Sequence, residues 1–375
     1  MKRVLVCVPS LADGDGITNF FMNYYNNLHN NNISIDFVCI SNDSFSKKIL
    51  QKLNENNENY YVIKGKNIFV KSIGLYFLLI KLLSQKKYDI LHMNLVFLYA
   101  LAGGLAAKKS KVKSIIHVHN PKDYDCSIKN SLKKIVEKNT LKLYTCRVAC
   151  SELAGNSAFF SQNYFILKNK IDVKKYKFSS ENRNFIRKKY NIGEKNKVVG
   201  IVARMTEQKN PFYFINVANI IINKNKNYLF LWIGNGILED VIKEKINALG
   251  IVKNFIFINQ TDEVEKYYSA MDLFFLPSKY EGFGYVFLEA ASSGMEVFAS
   301  RNVPKDIFVS NRIHSISIES GSEKITAETL LNCNIYSNNN RIEENSKLRN
   351  IKFNIEANSE DLSNIYKKLL SITEE

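Results

Sequence analysis

Ser278-Lys279-Tyr280-Glu281-Gly282-Phe283-Gly284-Tyr285-Val286-Phe287-Leu288-Glu289-Ala290 follows the run Leu273 to Leu276. That run is apolar without interruption, as in a parallel strand covered on both faces. Pro277 and Ser278 end the strand, Glu281 to Gly284 make a turn, and Tyr285 to Ala291 has the composition of a helix start. Glycines on both sides of Phe283 let backbone N–H groups approach a ligand, and the helix N-terminus adds positive potential suited to phosphate. The same stretch also fits an ordinary strand–loop–helix unit with two solvated glutamates, so its surroundings must decide.

Outward from this stretch, strand-like and helix-like segments alternate through the chain. Strands are expected at Val4–Val8, Ile35–Ile40, Tyr61–Ile63, Ile90–His92, Ile115–Val118, Arg147–Ala149 and Phe165–Leu167, with helices such as Ile17–Asn30, Lys71–Leu83 and Ile128–Leu143 between them. Around Asn169 to Glu194 the chain turns polar and charge-dense, which marks a linker. The alternation then resumes with strands at Val198–Val202, Tyr228–Ile233, Phe255–Ile258, Leu273–Leu276 and Val297–Ala299. Strand alternating with helix implies parallel sheets with right-handed crossovers. The expected organisation is α/β: an N-terminal Rossmann-like domain over residues 1–180, a second over 181–357, and a helix in 358–375 packing back toward the first. Ligands in such folds bind beyond the carboxyl ends of the strands, here in a cleft between the domains.

Hydrophobic content of 46% with 23% charged residues is globular. The net charge of +16 is unevenly spread: residues 1–180 hold 27 Lys and Arg against 12 Asp and Glu, whereas residues 181–375 hold 25 against 24. The basic half predicts an anionic partner such as a membrane surface or phosphorylated lipid. Nucleic acid is disfavoured, because no RNA-module, helix-turn-helix or zinc signature accompanies the charge. Six cysteines without a CxxC pair read as buried thiols, and five histidines without cysteines at ligand spacing give no zinc signature. Lys2-Arg3 and Val4 to Val8 are too short for a signal segment. Ile73 to Leu83 and Leu95 to Ala107 fall short of the ~20 residues of a membrane span and read as buried helices. A cytoplasmic protein is expected, working at the inner face of the cell membrane.

Two further loops carry phosphate-handling groups. After Val198–Val202 comes Arg204, able to clamp phosphate oxygens bidentately, and Lys209, a point charge just before a helix. After Tyr228–Ile233 comes Gly234-Asn235-Gly236, a tight turn. With the opening stretch, these loops at neighbouring strand ends point to a nucleoside-diphosphate site. In the first half, Asp13-Gly14-Asp15-Gly16 follows the first strand, and His92, His117 and His119 end two later ones. The glycine loop fits neither a dinucleotide fingerprint nor an EF-hand.

Arg204…Lys209-Asn210-Pro211, then Gly234-Asn235-Gly236, then Pro277-Ser278…Glu281-Gly282-Phe283-Gly284…Glu289-Ala290, in that order and spacing, resembles the retaining GT-B glycosyltransferases of family four. The resemblance implies two Rossmann-like domains with parallel sheets facing across a cleft. It implies a nucleotide-sugar donor, most simply a UDP-sugar, held by the second domain, an acceptor held by the first, and no resident cofactor or metal. Arg204 and Lys209 match residues that hold the donor diphosphate, and Glu281 matches the contact to the sugar hydroxyls. Gly282, Phe283 and Gly284 lie beside sugar and phosphate, and Glu289 matches the ribose ligand. Gly14 and Gly16 match the first domain's glycine loop near donor and acceptor. His119 is the candidate for a polar contact to donor sugar or acceptor. Departures occur at Lys170 (usually glycine), Glu296 (usually proline), Asp306 (usually glutamate) and the Asn259-Gln260-Thr261 turn, which lacks a glycine.

With Glu289 assigned to ribose and Glu281 to sugar hydroxyls, neither carboxylate is free as a nucleophile. The resemblance implies front-face attack on the sugar, with the leaving phosphate accepting the acceptor's proton and Arg204 and Lys209 stabilising its charge. The expected acceptor is a lipid-linked saccharide or oligosaccharide in cell-surface polysaccharide synthesis. A sugar-nucleotide epimerase of the same architecture and a catalytically silent partner subunit are the alternatives.

Overall fold

The computed structural model describes residues 1–12, 15–41, 45–85, 87–119, 128–160, 162–357 and 359–371. Residues 1–170 and the C-terminal helix form one compact unit, and residues 171–357 form the other. The change of unit falls at Lys170–Ile171, ten residues before the 180/181 division expected from composition. The physical reason is that Ile171 already pairs with Asn354 of the second unit.

The first unit is built on the strands β1 (Lys2–Val8), β2 (Ile33–Cys39), β3 (Tyr60–Val62), β4 (Ile90–Met93), β5 (Lys113–Val118), β6 (Cys146–Ala149) and β7 (Phe165–Ile166). Its helices are α1 (Gly16–Asn30), α2 (Lys47–Glu55), α3 (Ile68–Ser84), α4 (Leu98–Ser110), α5 (Ile128–Leu141) and α6 (Glu152–Phe159). The sheet order is β3-β2-β1-β4-β5-β6-β7, every pair parallel. The order reverses between β1 and β4, so a crevice opens beyond their carboxyl ends.

In the second unit, α7 (Ser180–Lys189), α8 (Pro211–Lys224), α9 (Glu239–Ala248), α10 (Val264–Ala270), α11 (Tyr285–Ser292), α12 (Glu323–Leu331) and α13 (Asn338–Leu348) surround the sheet. Its strands are β8 (Lys197–Val202), β9 (Tyr228–Ile233), β10 (Phe255–Ile258), β11 (Leu273–Leu276), β12 (Glu296–Ser300) and β13 (Ile313–Ile316), in the order β10-β9-β8-β11-β12-β13, again all parallel. The switch point lies between β8 and β11, the strands that carry the Arg204–Lys209 and Glu281 loops. Phe214 packs edge-on against Trp232 and flat against Phe275 at the centre of this core. Helix α14 (Asp361–Ser371) completes the first unit.

The structure corrects two expectations about these elements. The polar stretch read as a linker contains α7, capped by Ser179, whose hydroxyl accepts from the Asn182 N–H. Two of its charges point inward, Arg183 and Arg187, each reaching Asp272 at 2.6 Å, while Glu181, Lys188 and Lys189 stay exposed. Lys170, which stands where the family usually has glycine, is buried, and its ammonium meets Asp361 of α14 at 3.0 Å. Helix α3, read as buried, exposes much of one side. Among the described residues no helix is long and apolar enough to cross a membrane.

Candidate active site

The second unit's switch point is stitched together by its two loops. After β8, the chain turns through Glu207–Lys209 and enters α8 with Pro211 at its first position, which suits proline because no intrahelical N–H is needed there. The Gln208 carbonyl accepts from the Lys279 N–H at 2.8 Å, and Gln208 donates to the Tyr280 carbonyl at 3.0 Å. Lys209 Nζ then meets both oxygens of Glu281, at 2.6 and 2.8 Å, and Ser278 Oγ donates to Glu281 Oε1 at 2.6 Å. The two side chains are only 14% and 8% exposed, so the pair is shielded rather than a surface ion pair. Two residues expected to hold different parts of a ligand thus hold each other. Arg204 is exposed, and among the described residues its side chain makes no hydrogen bond or ion pair.

Backbone geometry explains the glycines. Gly234 sits at φ +127°, and a side chain there would press on the Ala203 carbonyl at 2.4 Å. The β9 and β8 loops therefore approach each other only with glycine at this point. Gly284 caps α11 at φ +88° and offers no side-chain acceptor, so the first turn has no side-chain cap, although the Phe287 N–H donates to the Gly284 carbonyl at 3.1 Å. Gly282 and Phe283 form the turn before it, Phe283 buried against Phe353 and Tyr285. Glu289 lies inside: its oxygens accept from Tyr176 at 3.1 Å and Tyr268 at 2.9 Å. Burial holds its carboxyl above the usual range, although both tyrosine hydrogen bonds favour the charged form.

The first unit's switch point holds a histidine chain. Tyr366 of α14 lies 2.7 Å from His92 Nδ1, and His92 Nε2 lies 3.2 Å from His117 Nδ1. The His117 ring is 4.0 Å from that of His119, whose Nε2 lies 2.9 Å from Asn94 Oδ1. Because Asn94 Oδ1 only accepts, His119 carries its proton on Nε2 and presents a bare Nδ1. Burial, aided by mutual repulsion, keeps His92 down to about 3 and His117 well below its ordinary value; burial alone brings His119 to about 3. All three rings are neutral at pH 7. His92 and His117 are fully enclosed, whereas His119 keeps an open edge. Gly16 begins α1 but an added methyl would meet nothing, so its backbone has no need of glycine. Asp15 is the α1 cap, accepting from the Ile17 and Thr18 N–H groups. Gly14, Asp13, Asn120, Asp123 and Asp125 lie outside the described residues. No three His, Cys, Asp or Glu side chains converge as a metal site among the described residues.

Sequence reading missed Ser278, Asn94, Tyr176, Tyr268 and Tyr366. Ser278 had a usable signal, three residues before Glu281 on the same turn. The tyrosines had none, because the contacts join segments far apart in the chain.

Residues 14–158 match the family described as Glycosyltransferase Family 4, and residues 182–349 match Glycosyl transferases group 1. The chain belongs to the family-four-like GT-B glycosyltransferases. This glycosyltransferase is 24% identical over 252 residues to the Escherichia coli UDP-Gal:alpha-D-GlcNAc-diphosphoundecaprenol alpha-1,3-galactosyltransferase, covering 64% of this chain and 65% of that relative, just under two thirds of its length. It is 25% identical to the capsular polysaccharide biosynthesis glycosyltransferase CapH of Staphylococcus aureus, over 67% of this chain and 70% of the relative. Its fold matches Anabaena Alr3699/HepE, solved in complex with UDP, with a TM-score of 0.78 and 15% identity over 98% of this chain and 100% of that one.

Proposed function

We propose that this glycosyltransferase moves a hexose-type sugar, with retention of anomeric configuration, from a UDP-sugar to a hydroxyl of a lipid-linked saccharide in cell-surface polysaccharide synthesis. The observation that carries the reading is the meeting of Lys209, Glu281 and Ser278 at the β8/β11 switch point, beside the N-terminus of α11, which no side chain caps. A diphosphate arriving there draws Lys209 toward its oxygens, and Arg204 is free to join it. Glu281, held in place by Ser278, then accepts hydrogen bonds from vicinal sugar hydroxyls. Glu289 has lone pairs beyond the two that Tyr176 and Tyr268 occupy, enough for a ribose hydroxyl. The two cations neutralise the leaving diphosphate, which takes the acceptor's proton, so the reaction calls for no resident metal ion. His119, with its bare Nδ1, accepts a hydrogen bond from a sugar or acceptor hydroxyl. The UDP-sugar donor and lipid-diphosphate acceptor named for the Escherichia coli relative, and the UDP bound by the Anabaena protein, favour the donor and acceptor classes chosen.

A thermal-shift panel of UDP, GDP, ADP and their sugars tests this. Uridine nucleotides should raise the melting temperature of the wild type, and Lys209→Ala should abolish that rise. Indifference of the wild type to every nucleotide sinks the proposal. Product analysis separates transfer from epimerisation, because an epimerase consumes donor without acceptor.

A further inference from the structure

Helix α3 is apolar nearly all round, a pattern that ordinarily means burial on all sides. Its inner face does pack: Leu75, Leu79, Leu82 and Leu83 are buried, and α4 lies alongside. The outer face does not. Phe69 is 63% exposed, Phe77 65%, and Ile68, Val70 and Ile73 each about 45%. Val70, Ile73 and Phe77 follow one another at helical spacing, so with Phe69 they form one outward stripe over the N-terminal half of the helix. Contiguous exposed apolar surface of this kind marks an interaction site.

The charge around the stripe selects the partner. Lys64 and Lys66 are exposed on the approach to α3, and Lys81 is exposed at the far end of the stripe. From Asn59 to Lys122 the sequence holds 11 lysines and a single acidic residue, Asp89. The positive end of the helix dipole adds to Lys64 and Lys66, and the first turn of α3 carries no acidic residue to offset it. A second copy of this chain would bring the same lysines against each other. An anionic bilayer satisfies both features at once, taking the aromatic and branched side chains into the acyl boundary and the lysines among the headgroups.

We propose that the exposed stripe of α3, with Lys64, Lys66 and Lys81, is the surface by which this protein docks on an anionic membrane. The topology gives the docking a purpose. A helix following a parallel strand begins at the carboxyl edge of the sheet, so the N-terminal half of α3 lies on the edge where β5 delivers His119. Docking sets that edge toward the lipid surface, where a lipid-linked acceptor is found; this purpose rests on the proposed transfer, whereas the docking itself does not.

Co-sedimentation of the full chain with phosphatidylcholine vesicles, with and without phosphatidylglycerol, tests it. The wild type should bind the phosphatidylglycerol vesicles at low salt and partly release at high salt. Phe69→Ala with Phe77→Ala should lower partitioning about tenfold or more at any salt. Lys64→Glu with Lys66→Glu should lower it by at least about fivefold per lysine at low salt and remove the phosphatidylglycerol preference. All four positions are exposed, so the variants keep the fold, which circular dichroism checks. Wild type left in the supernatant, or a phenylalanine variant that binds like wild type, overturns the proposal. So does light scattering that shows a dimer which the phenylalanine variant splits. Uridine-nucleotide thermal shifts on the same samples report separately on the donor site.

Discussion

Lys209 and Glu281 show how far a residue type can be read in advance. A cation after β8 and a carboxylate after β11 were legible as ligand-handling groups at neighbouring strand ends. Their mutual contact was not, because it depends on β8 lying next to β11 although 70 residues separate them in sequence. Glu289 was read as a ribose ligand, yet the tyrosines that hold it come from segments as remote as Tyr176. The shielded pair carries a stability prediction. Lys209→Ala leaves Glu281 with Ser278 as its remaining donor and should cost about 1.5–3 kcal/mol in urea unfolding. Adding Glu281→Gln should recover part of that loss, since no unpaired charge then remains. Equal losses in single and double variants would show that the pair is not coupled.

At the scale of elements, strands were the easier part. A parallel strand covered on both faces must be continuously apolar, so runs such as Tyr228–Ile233 and Leu273–Leu276 announce themselves. Edge strand β13, Ile-His-Ser-Ile, and the polar helices α12 and α13 lack that signal and were not assigned. Helix α7 was mistaken for linker because charges in ion pairs with the core and charges in solvent give the same composition. In α7 the two arginines are anchors: Asp272 is buried between Arg183 and Arg187 and also accepts from the Val198 N–H. Asp272→Ala should therefore cost about 3–5 kcal/mol, while Ser179→Ala, a lost helix cap, should cost about 1 kcal/mol. Chemical denaturation that finds Asp272→Ala within about 0.5 kcal/mol of wild type would remove α7's anchoring role.

For the molecule as a whole, the buried histidines make stability depend on pH. In the folded chain burial holds His92 and His119 down to about 3, and it holds His117 well below its ordinary value. Unfolded, each returns to about 6.5, so below that pH the unfolded state binds more protons. Stability then falls as pH falls from about 6.5 toward 3, by about 1.4 kcal/mol per pH unit for each histidine. Glu58, which burial pushes up to about 7, acts oppositely, gaining its proton first in the folded state and adding stability as pH falls through about 7 to 4.5. His117→Gln should flatten the acid slope by about one proton, and Glu58→Gln should steepen it by about one, measured by urea unfolding between about pH 5 and 6.5. A slope unchanged in both variants would refute the assignment. The sequence alone determined the two parallel-sheet units and the family, because apolar periodicity and ordered strand-end motifs are properties of contiguous stretches. Only the tertiary structure decided that Lys209 clasps Glu281, that Tyr366 of the C-terminal helix reaches the histidines, and that α3 leaves an apolar face open. These depend on which distant segments lie side by side and on what remains uncovered once they do.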